Sequence, residues 1–221
     1  MSEAHDTENR GGRRRARTRA ALVAAACELL ARENGTEASI QEITDLADVG
    51  FGSFYNHFPT KTELFGAAIA ETLEEHGAML DELTADIDDP AEVFATGVRM
   101  TARLPTTHPQ MARIICNTGH TYLSAGTGLA PRALRDILAA RDAGRFTVDD
   151  PAVALACVGG ALLGVLNLVG AGRTPRAVGR AADQLAHNLL RMFEVPREDA
   201  ERICARKLPV PGRRSAFPLA R

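Results

Sequence analysis

The amino-acid sequence predicts an all-α protein. Apolar residues recur every three or four positions along most of the chain, and the two-residue alternation typical of half-buried strands is absent. With 221 residues, the chain can bury a sizeable core in one large domain or two smaller ones. Proline is tolerated in the first turn of a helix, and it stands at or near the start of most later apolar stretches, as Pro90, Pro109, Pro131, Pro151, Pro175 and Pro196.

Four helices are predicted in the N-terminal third of the chain. Ser39 followed by Glu42 is the pattern of a capping box, in which each side chain bonds the backbone N–H of the other residue, so a helix starts there. Pro59 ends the next short helix, and Thr60 caps a long one. The polar residues 1–12 are expected to be disordered. The predicted helices cover residues 13–34, 39–47, 51–57 and 60–83.

Six further helices and a disordered tail are predicted in the rest of the chain. The stretch 151–170 has no charged residue and is long enough to span a bilayer. Glycines and an asparagine dilute its apolarity, and acidic rather than basic residues precede it, so we favour a helix buried between other helices. The predicted helices cover residues 90–104, 109–120, 129–143, 151–170, 175–193 and 197–206, and residues 207–221 are expected to lack order.

The composition indicates the cellular compartment of the protein but not its binding partner. The formal net charge of −2 gives no indication of what the protein binds. The four cysteines are widely spaced and form no C-x-x-C pair, which is typical of reduced intracellular thiols rather than of a disulfide framework. The N-terminal residues lack the apolar core of a secretory signal. We therefore expect a cytoplasmic protein.

A helix, a short turn and a second short helix within residues 38–57 are the arrangement of a helix-turn-helix DNA-binding motif. The run "ASIQEITDLADVGFGSFYNHFPTKTELF", 38–65, resembles the TetR family of transcriptional regulators, and the resemblance extends over residues 15–70. Beyond that, the chain resembles the family only in being helical and of similar length. The residues that match the family pattern are Ser39, Ile40, Ile43, Ala47, Val49, Gly52, Phe54, Tyr55, His57, Phe58, Lys61 and Leu64.

Three positions depart from the family pattern. Asp48 replaces the usual turn glycine, but aspartate tolerates the left-handed conformation better than most residues. Gly50 stands where a Ser or Thr cap is common, and glycine is an acceptable N-cap. Phe51 stands where a polar or basic residue often faces DNA. The departures leave the fold prediction intact and put the details of base recognition in doubt.

The second helix of the motif is expected to present its N-terminal residues to base edges in the major groove. Phe51 can pack on a thymine methyl, and Ser53 can hydrogen-bond a base or a phosphate. The resemblance implies that Tyr55, His57 and Lys61 contact phosphates, which set the register of the protein on DNA. The predicted DNA-binding residues are Arg14, Arg15, Arg17, Ser39, Gln41, Phe51, Gly52, Ser53, Tyr55, Asn56, His57 and Lys61.

Aromatic and basic residues are both concentrated around this motif. The chain has eight Phe and two Tyr, and four of these lie within residues 51–58. The motif divides them: Phe54 and Phe58 are predicted to face the core, and Phe51 and Tyr55 to face DNA. The segment "RGGRRRARTR", 10–19, has no acidic residue and is expected to bind phosphates or enter the minor groove, making DNA binding strongly salt-dependent. A solvated tail is the alternative.

The resemblance implies that the last two long helices form a four-helix dimer interface. One such motif covers one half-site, so a palindromic operator requires two copies of the chain. The alternative is that both helices belong to the core of a single chain. The predicted interface residues are Leu155, Gly159, Leu162, Leu166, Leu185, Leu189 and Phe193.

The resemblance also implies an effector cavity among the middle helices. The candidate lining is apolar and favours a hydrophobic or aromatic effector, although each residue alone is more typical of a plain core. Cys116 and His120 have the spacing of two metal ligands on a helix, but no third ligand is evident, so no metal or cofactor is expected. The candidate lining residues are Phe94, Met100, Leu104, Met111, Ile115, Tyr122 and Phe146.

The sequence therefore predicts an N-terminal three-helix helix-turn-helix DNA-binding domain, 13–60, joined to a larger helical ligand-binding and dimerisation domain, 61–206. The predicted function is that of a ligand-responsive regulator, a repressor that binds a palindromic double-stranded DNA operator as a homodimer and is released by a small molecule, without a membrane partner. Activation instead of repression stays open. The alternatives are an all-helical interaction protein without sequence-specific DNA binding and an enzyme, for which no nucleophile elbow, P-loop or zinc signature is present.

Overall fold

A computed structural model describes residues 2–119, 128–170 and 172–210, with side chains from residue 11 onward. Within these ranges the regular structure is helical throughout, in agreement with the predicted fold class. The helices are α1 (Ser2–Leu30), α2 (Ile40–Leu46), α3 (Phe51–Tyr55), α4 (Lys61–Thr84), α5 (Pro90–Thr101), α6 (Leu104–Thr107), α7 (Pro109–Thr118), α8 (Leu129–Asp142), α9 (Pro151–Leu168), α10 (Pro175–Met192) and α11 (Arg197–Ala205).

The chain divides into two compact units, 1–70 and 71–221. The boundary lies inside α4, later than the predicted boundary after residue 60. Helix α1 begins at Ser2, so residues 2–12, which the sequence analysis expected to be disordered, are helical in the structure.

The first unit is held by α1, α2, α3 and the start of α4. Ser39 Oγ accepts a hydrogen bond from the Glu42 N–H at 3.1 Å, and the Ser39 N–H donates to Glu42 Oε2 at 2.7 Å, which confirms the predicted capping box. The core of this unit consists of fully buried side chains contributed by all four helices, including Leu22, Leu30, Ile43, Phe54 and Leu64.

The second unit packs α5 against α8 and α10, with α9 lying along α8 and α10. Helix α5 ends at Thr101 rather than at the predicted residue 104 because Pro105 has no N–H to donate to the Thr101 carbonyl. Ion pairs connect the helices: Arg145 bonds Asp89 at 2.9 Å and Asp199 at 2.6 Å.

Helix α9 leaves one apolar face uncovered. Val153 is 57% exposed and Leu168 is 67% exposed, while Val158 and Leu166 on the other face are buried. In the described part of the chain, only Pro151–Leu168 is long and apolar enough to cross a membrane, with a mean hydropathy of 1.9, and one such helix is weak evidence for a span. The predicted burial of this helix between others is therefore right for one face only.

Candidate DNA interface and effector cavity

The four rings of the short helix α3 divide as the sequence predicts. Phe54 is fully buried and Phe58 is 5% exposed, whereas Phe51 and Tyr55 are 48% and 54% exposed. The Phe54 ring packs edge-to-face on Tyr55 at 5.3 Å between centroids, and the Arg19 guanidinium lies over the Phe58 ring at 5.4 Å. Burial of two rings stabilises a helix that is too short to be stable alone, and it leaves the other two rings at the surface.

The turn before α3 accommodates two of the three departures from the family pattern. Asp48 adopts φ 52°, the left-handed conformation that the turn requires. Gly50 is the N-cap of α3 in an extended conformation and makes no side-chain capping bond. A Cβ at Gly52 would meet no atom within 4 Å. Packing within the chain therefore does not require glycine at position 52.

A polar depression lies between the N-terminal half of α1 and helix α3. It has a volume of about 500 Å³. Arg15 donates a hydrogen bond to the Asn56 carbonyl at 3.4 Å, which ties the two helices together. Partial burial lowers the pKa of His57, and the nearby cations Arg15 and Arg19 lower it further, so His57 is neutral at pH 7. The depression is lined by Gly11, Arg14, Arg15, Thr18, Ser53, Asn56 and His57.

The other predicted DNA-binding residues do not line this depression. Gln41 Nε2 donates to Asp45 Oδ1 at 2.6 Å on the surface of α2. Lys61 Nζ donates to the Ala38 carbonyl at 3.0 Å, so its ammonium group holds the start of α2. The structure thus gathers five of the predicted residues at one place and gives Ser39, Gln41 and Lys61 local hydrogen bonds. Arg17 is exposed.

A small cavity of about 70 Å³ opens in the second unit between α4, α5, α8 and α9. Of the predicted lining residues, only Phe94 contributes to it. Leu104, Met111 and Ile115 are buried in other parts of the core, and Phe146 stacks on Phe193 at 4.5 Å. Met100 does not line the cavity, and Tyr122 lies outside the described residues. The lining residues are Leu80, Asp81, Thr84, Val93, Phe94, Gly97, Val98, Thr101, Leu129, Arg132, Ala133, Arg135, Asp136, Val158 and Leu162.

Four charged residues form one wall of this cavity. Arg132 Nε lies 2.7 Å from Asp81 Oδ2, and an Arg135 NH2 group lies 2.8 Å from Asp81 Oδ1 and 2.8 Å from Asp136 Oδ1. Burial alone would raise the pKa of Asp81, but the hydrogen bonds from Arg132 and Arg135 outweigh it and lower the pKa. Burial raises the pKa of Asp136 in spite of its bond to Arg135.

The charged wall was not among the sites predicted from the sequence. The spacing of Arg132, Arg135 and Asp136 on one predicted helix could have indicated it, because this spacing places the three side chains on neighbouring positions of the helix surface. Their partner Asp81 belongs to a different helix, and no periodicity within one helix reveals that pairing.

The structure describes a single chain, so the dimer interface stays a prediction. Five of the residues predicted for it are buried within this chain: Leu162, Leu166, Leu185, Leu189 and Phe193. Leu155 is half-buried. Further apolar surface is exposed on the opposite face of α9. The exposed residues of α9 include Val153, Ala156, Cys157, Gly160, Gly164 and Leu168.

Family comparisons agree with this architecture. A model of the bacterial regulatory proteins of the tetR family matches residues 22–68, and a model of the tetracyclin repressor-like C-terminal domain matches residues 89–206. The second match covers more than half of the chain. The chain belongs to the TetR family. It is a transcriptional regulator with a helix-turn-helix unit followed by the helical C-terminal domain of this family, and the matched relatives are regulators rather than enzymes.

Individual relatives of this TetR-family protein support the assignment. It is 25% identical over 197 residues to the probable acrEF/envCD operon repressor of Escherichia coli strain K12, covering 80% of this chain and 87% of the relative. It is 32% identical to RolR solved without ligand, with a TM-score of 0.72, covering 88% of this chain and all of RolR. The RolR complex with the ligand resorcinol gives 29% identity, 91% and 100% coverage, and a TM-score of 0.64.

No group of three or more His, Cys, Asp or Glu suited to a metal ion occurs among the residues that the structure describes. Cys116 is half-buried on α7, and burial raises the pKa of its thiol. His120, its partner in the two-ligand pattern, lies outside the described residues.

Proposed function

We propose that this TetR-family regulator is a repressor that binds a palindromic operator as a homodimer and is released by a small phenolic molecule. The observation that carries the proposal is the cavity, whose lining combines the charged side chains of Asp81, Arg132 and Arg135 with apolar residues that include Phe94. A ring with hydroxyl groups matches both parts of this lining. RolR, a similar protein of known structure, was solved with such a molecule, resorcinol.

The cavity is smaller than a one-ring effector requires. An apolar cavity of roughly 150 Å³ is sufficient to bind benzene, and the cavity here has about 70 Å³. A single ring therefore enters only if side chains around it move. That movement gives the effector a different affinity for two states of the protein, and only such a difference can shift DNA binding.

The charged wall would hold the hydroxyl groups of the effector. A phenolic O–H donates to a carboxylate oxygen, and a guanidinium N–H donates to the phenolic oxygen. Such bonds to charged groups are worth about 1.5–3 kcal/mol each. Asp81 and Arg135 are only partly buried, so water screening reduces this contribution toward the lower end of that range.

The DNA interface is proposed at the polar depression and the exposed part of α3. Arg14 and Arg15 of α1 would contact a phosphate together with Ser53 of α3 and with Asn56 and His57 of the turn that follows α3. Phe51 and Gly52 would lie against base edges, since both are exposed at the start of the recognition helix. Tyr55, Lys61, Arg17, Ser39 and Gln41 stay predictions as additional contacts. Because its target is DNA, we propose that the protein acts in the cytoplasm.

The homodimer is proposed to form through the exposed face of α9. Gly160 and Gly164 would allow close approach of two helices, and Val153 and Leu168 would supply apolar area. Burying this area is worth about 25 cal/mol per Å² before the cost of association is subtracted. Light scattering at micromolar concentration is expected to give the mass of two chains. A monomer under these conditions would contradict the dimer.

A gel-shift titration tests the proposed function. The purified protein is expected to bind DNA from upstream of its own gene in preference to unrelated DNA, and resorcinol is expected to release it. Asp81→Asn should keep DNA binding and lose the response, because two guanidinium groups lose their shared carboxylate. Asp142→Asn is the control, since Asp142 pairs with Arg141 at the C-terminal end of α8 and does not line the cavity.

The outcomes separate the parts of the proposal. Absence of any sequence-preferring complex at moderate salt would contradict the repressor and favour the helical interaction protein. Specific DNA binding without release by resorcinol, phenol or other one-ring phenols would contradict the effector class alone.

A further inference from the structure

A buried histidine lies directly behind the cavity lining. His76 on α4 is fully buried, and its Nε2 atom lies 3.0 Å from Oγ1 of Thr101, a lining residue on α5. Its other ring nitrogen, Nδ1, is buried and has no hydrogen-bond partner among the described residues. A polar ring in this position is costly to bury, and nothing in the fold of α4 requires it.

The hydrogen-bond partners determine where the protons lie. Thr101 Oγ1 is 2.8 Å from the Gly97 carbonyl, which can only accept, so the Thr101 hydroxyl proton points there. His76 then carries its proton on Nε2 and donates it to Thr101 Oγ1. The opposite tautomer would leave a buried Nδ1–H without an acceptor, and an orphaned buried N–H is the rarer and costlier defect.

His76 is also uncharged. Burial, together with a smaller effect of the neighbouring His108, lowers its pKa to about 3. The imidazole therefore stays neutral near pH 7 and remains the hydrogen-bond donor to Thr101. With its proton given to Gly97 and one lone pair occupied by His76, Thr101 Oγ1 keeps one lone pair. To a group that reaches it from the cavity, Thr101 Oγ1 can therefore only offer an acceptor.

We infer that Thr101, held by His76, reads a second hydroxyl group on the effector ring and makes the site selective for a dihydroxybenzene over a phenol with one hydroxyl. The inference rests on the proposed function. The charged wall of Asp81, Arg132 and Arg135 binds one hydroxyl, and Thr101 on α5 accepts the proton of the other. An effector with a methyl ether at that place has no proton to donate, so two acceptors would face each other.

Thr84 provides an internal comparison. It also lines the cavity, and it donates to its own preceding turn, the Leu80 carbonyl, at 2.8 Å, as Thr101 does to Gly97. No histidine bonds Thr84 in the described residues. A threonine whose hydroxyl bonds only the preceding turn of its own helix thus needs no buried imidazole. The additional hydrogen bond from His76 distinguishes Thr101 from Thr84.

Isothermal titration calorimetry with resorcinol, phenol and 3-methoxyphenol tests the inference. The unaltered protein is expected to bind resorcinol about tenfold more tightly than either of the others, the value of one neutral hydrogen bond at the upper end of its range. Thr101→Val should bring this ratio close to one while phenol affinity stays the same. Thr84→Val should leave the ratio unchanged.

Variants of His76 test its positioning role. His76→Gln keeps an N–H donor near the place of Nε2 and is expected to retain most of the preference for resorcinol. His76→Leu has no donor, so Thr101 is free to turn and the preference should fall. The thermal melting of each variant shows whether it is folded, and the three-ligand comparison on the unaltered protein needs no variant at all.

The results distinguish a failure of this inference from a failure of the proposed effector class. A Thr101→Val protein that keeps the tenfold preference, or a Thr84→Val protein that loses it equally, would overturn the inference. Equal binding of resorcinol and 3-methoxyphenol by the unaltered protein would overturn it as well, while leaving a phenolic effector in place. Failure of all three ligands to bind would instead reject the proposed effector class, and the inference with it.

Discussion

Replacing Gly128 by alanine should destabilise the second unit strongly. Gly128 precedes α8 with φ 82° and ψ −130°, a backbone conformation that is essentially restricted to glycine. Its N–H donates to Glu74 Oε2 at 3.1 Å, and its carbonyl accepts from Arg132 at 3.0 Å. A Cβ there would lie 2.6 Å from Leu73 Cβ and 3.1 Å from the Leu73 carbonyl carbon.

Two costs add to give the magnitude. The backbone conformation costs an ordinary residue about 1–3 kcal/mol, and overpacking of a buried contact costs about 1–3 kcal/mol. Gly128→Ala should therefore lose about 2–6 kcal/mol of unfolding free energy. For a protein of this size that corresponds to a fall in Tm of roughly 5–20 °C. Resorcinol affinity should fall too, because α8 carries Arg132 and Arg135 into the cavity wall.

Thermal unfolding followed by circular dichroism measures the effect. Gly144→Ala is the matched control, since Gly144 also has a positive φ, 67°, but a Cβ there would meet no atom within 4 Å. It should lose only about 1–2 kcal/mol. If the two variants lose the same stability, the close approach to Leu73 has no energetic consequence and the reasoning is wrong.

Three further predictions concern the DNA-binding unit and the buried histidine. Phe54→Ala removes a fully buried ring and should lower the free energy of unfolding by about 3–5 kcal/mol. Phe51→Ala removes an exposed ring, so it should change the free energy of unfolding by no more than about 0.5 kcal/mol and alter the preference among operators. Equal melting temperatures of the two variants would contradict this division. Neutralising Arg14 and Arg15 together removes two proposed phosphate contacts from each chain of the dimer, so the salt dependence of DNA binding should fall by about four units of slope at every sequence tested, measured by fluorescence anisotropy; an unchanged slope would remove both residues from the phosphate contacts. The pKa of His76 in the folded chain lies at about 3, below its value in the unfolded chain, so the unfolded chain takes up this proton first as pH falls. The free energy of unfolding is therefore unaffected by this group above pH 6.5 and decreases as pH falls towards 3, by up to about 1.4 kcal/mol per pH unit. Urea unfolding of His76→Gln should lack this decrease, and parallel pH profiles of the two proteins would refute the prediction.

Local chemistry made most of the helices predictable from the sequence. Ser39 with Glu42 marks the start of α2, and Pro59 marks the end of α3, because capping and the missing proline N–H act within a few residues. The rings of α3 could be divided into a buried pair and an exposed pair for the same reason. Their spacing, together with the motif, specifies which side faces the core.

The sequence by itself thus determined the helical fold, the helix-turn-helix and the family, all of which depend on residues near one another in the chain. Only the tertiary structure decided which helix surfaces meet. It paired Asp81 of α4 with Arg132 and Arg135 of α8, placed His76 behind Thr101, and directed Leu185 and Leu189 into the protomer core. These contacts join residues dozens of positions apart. The type of an apolar or charged side chain does not specify its partner, because the partner depends on how the helices pack.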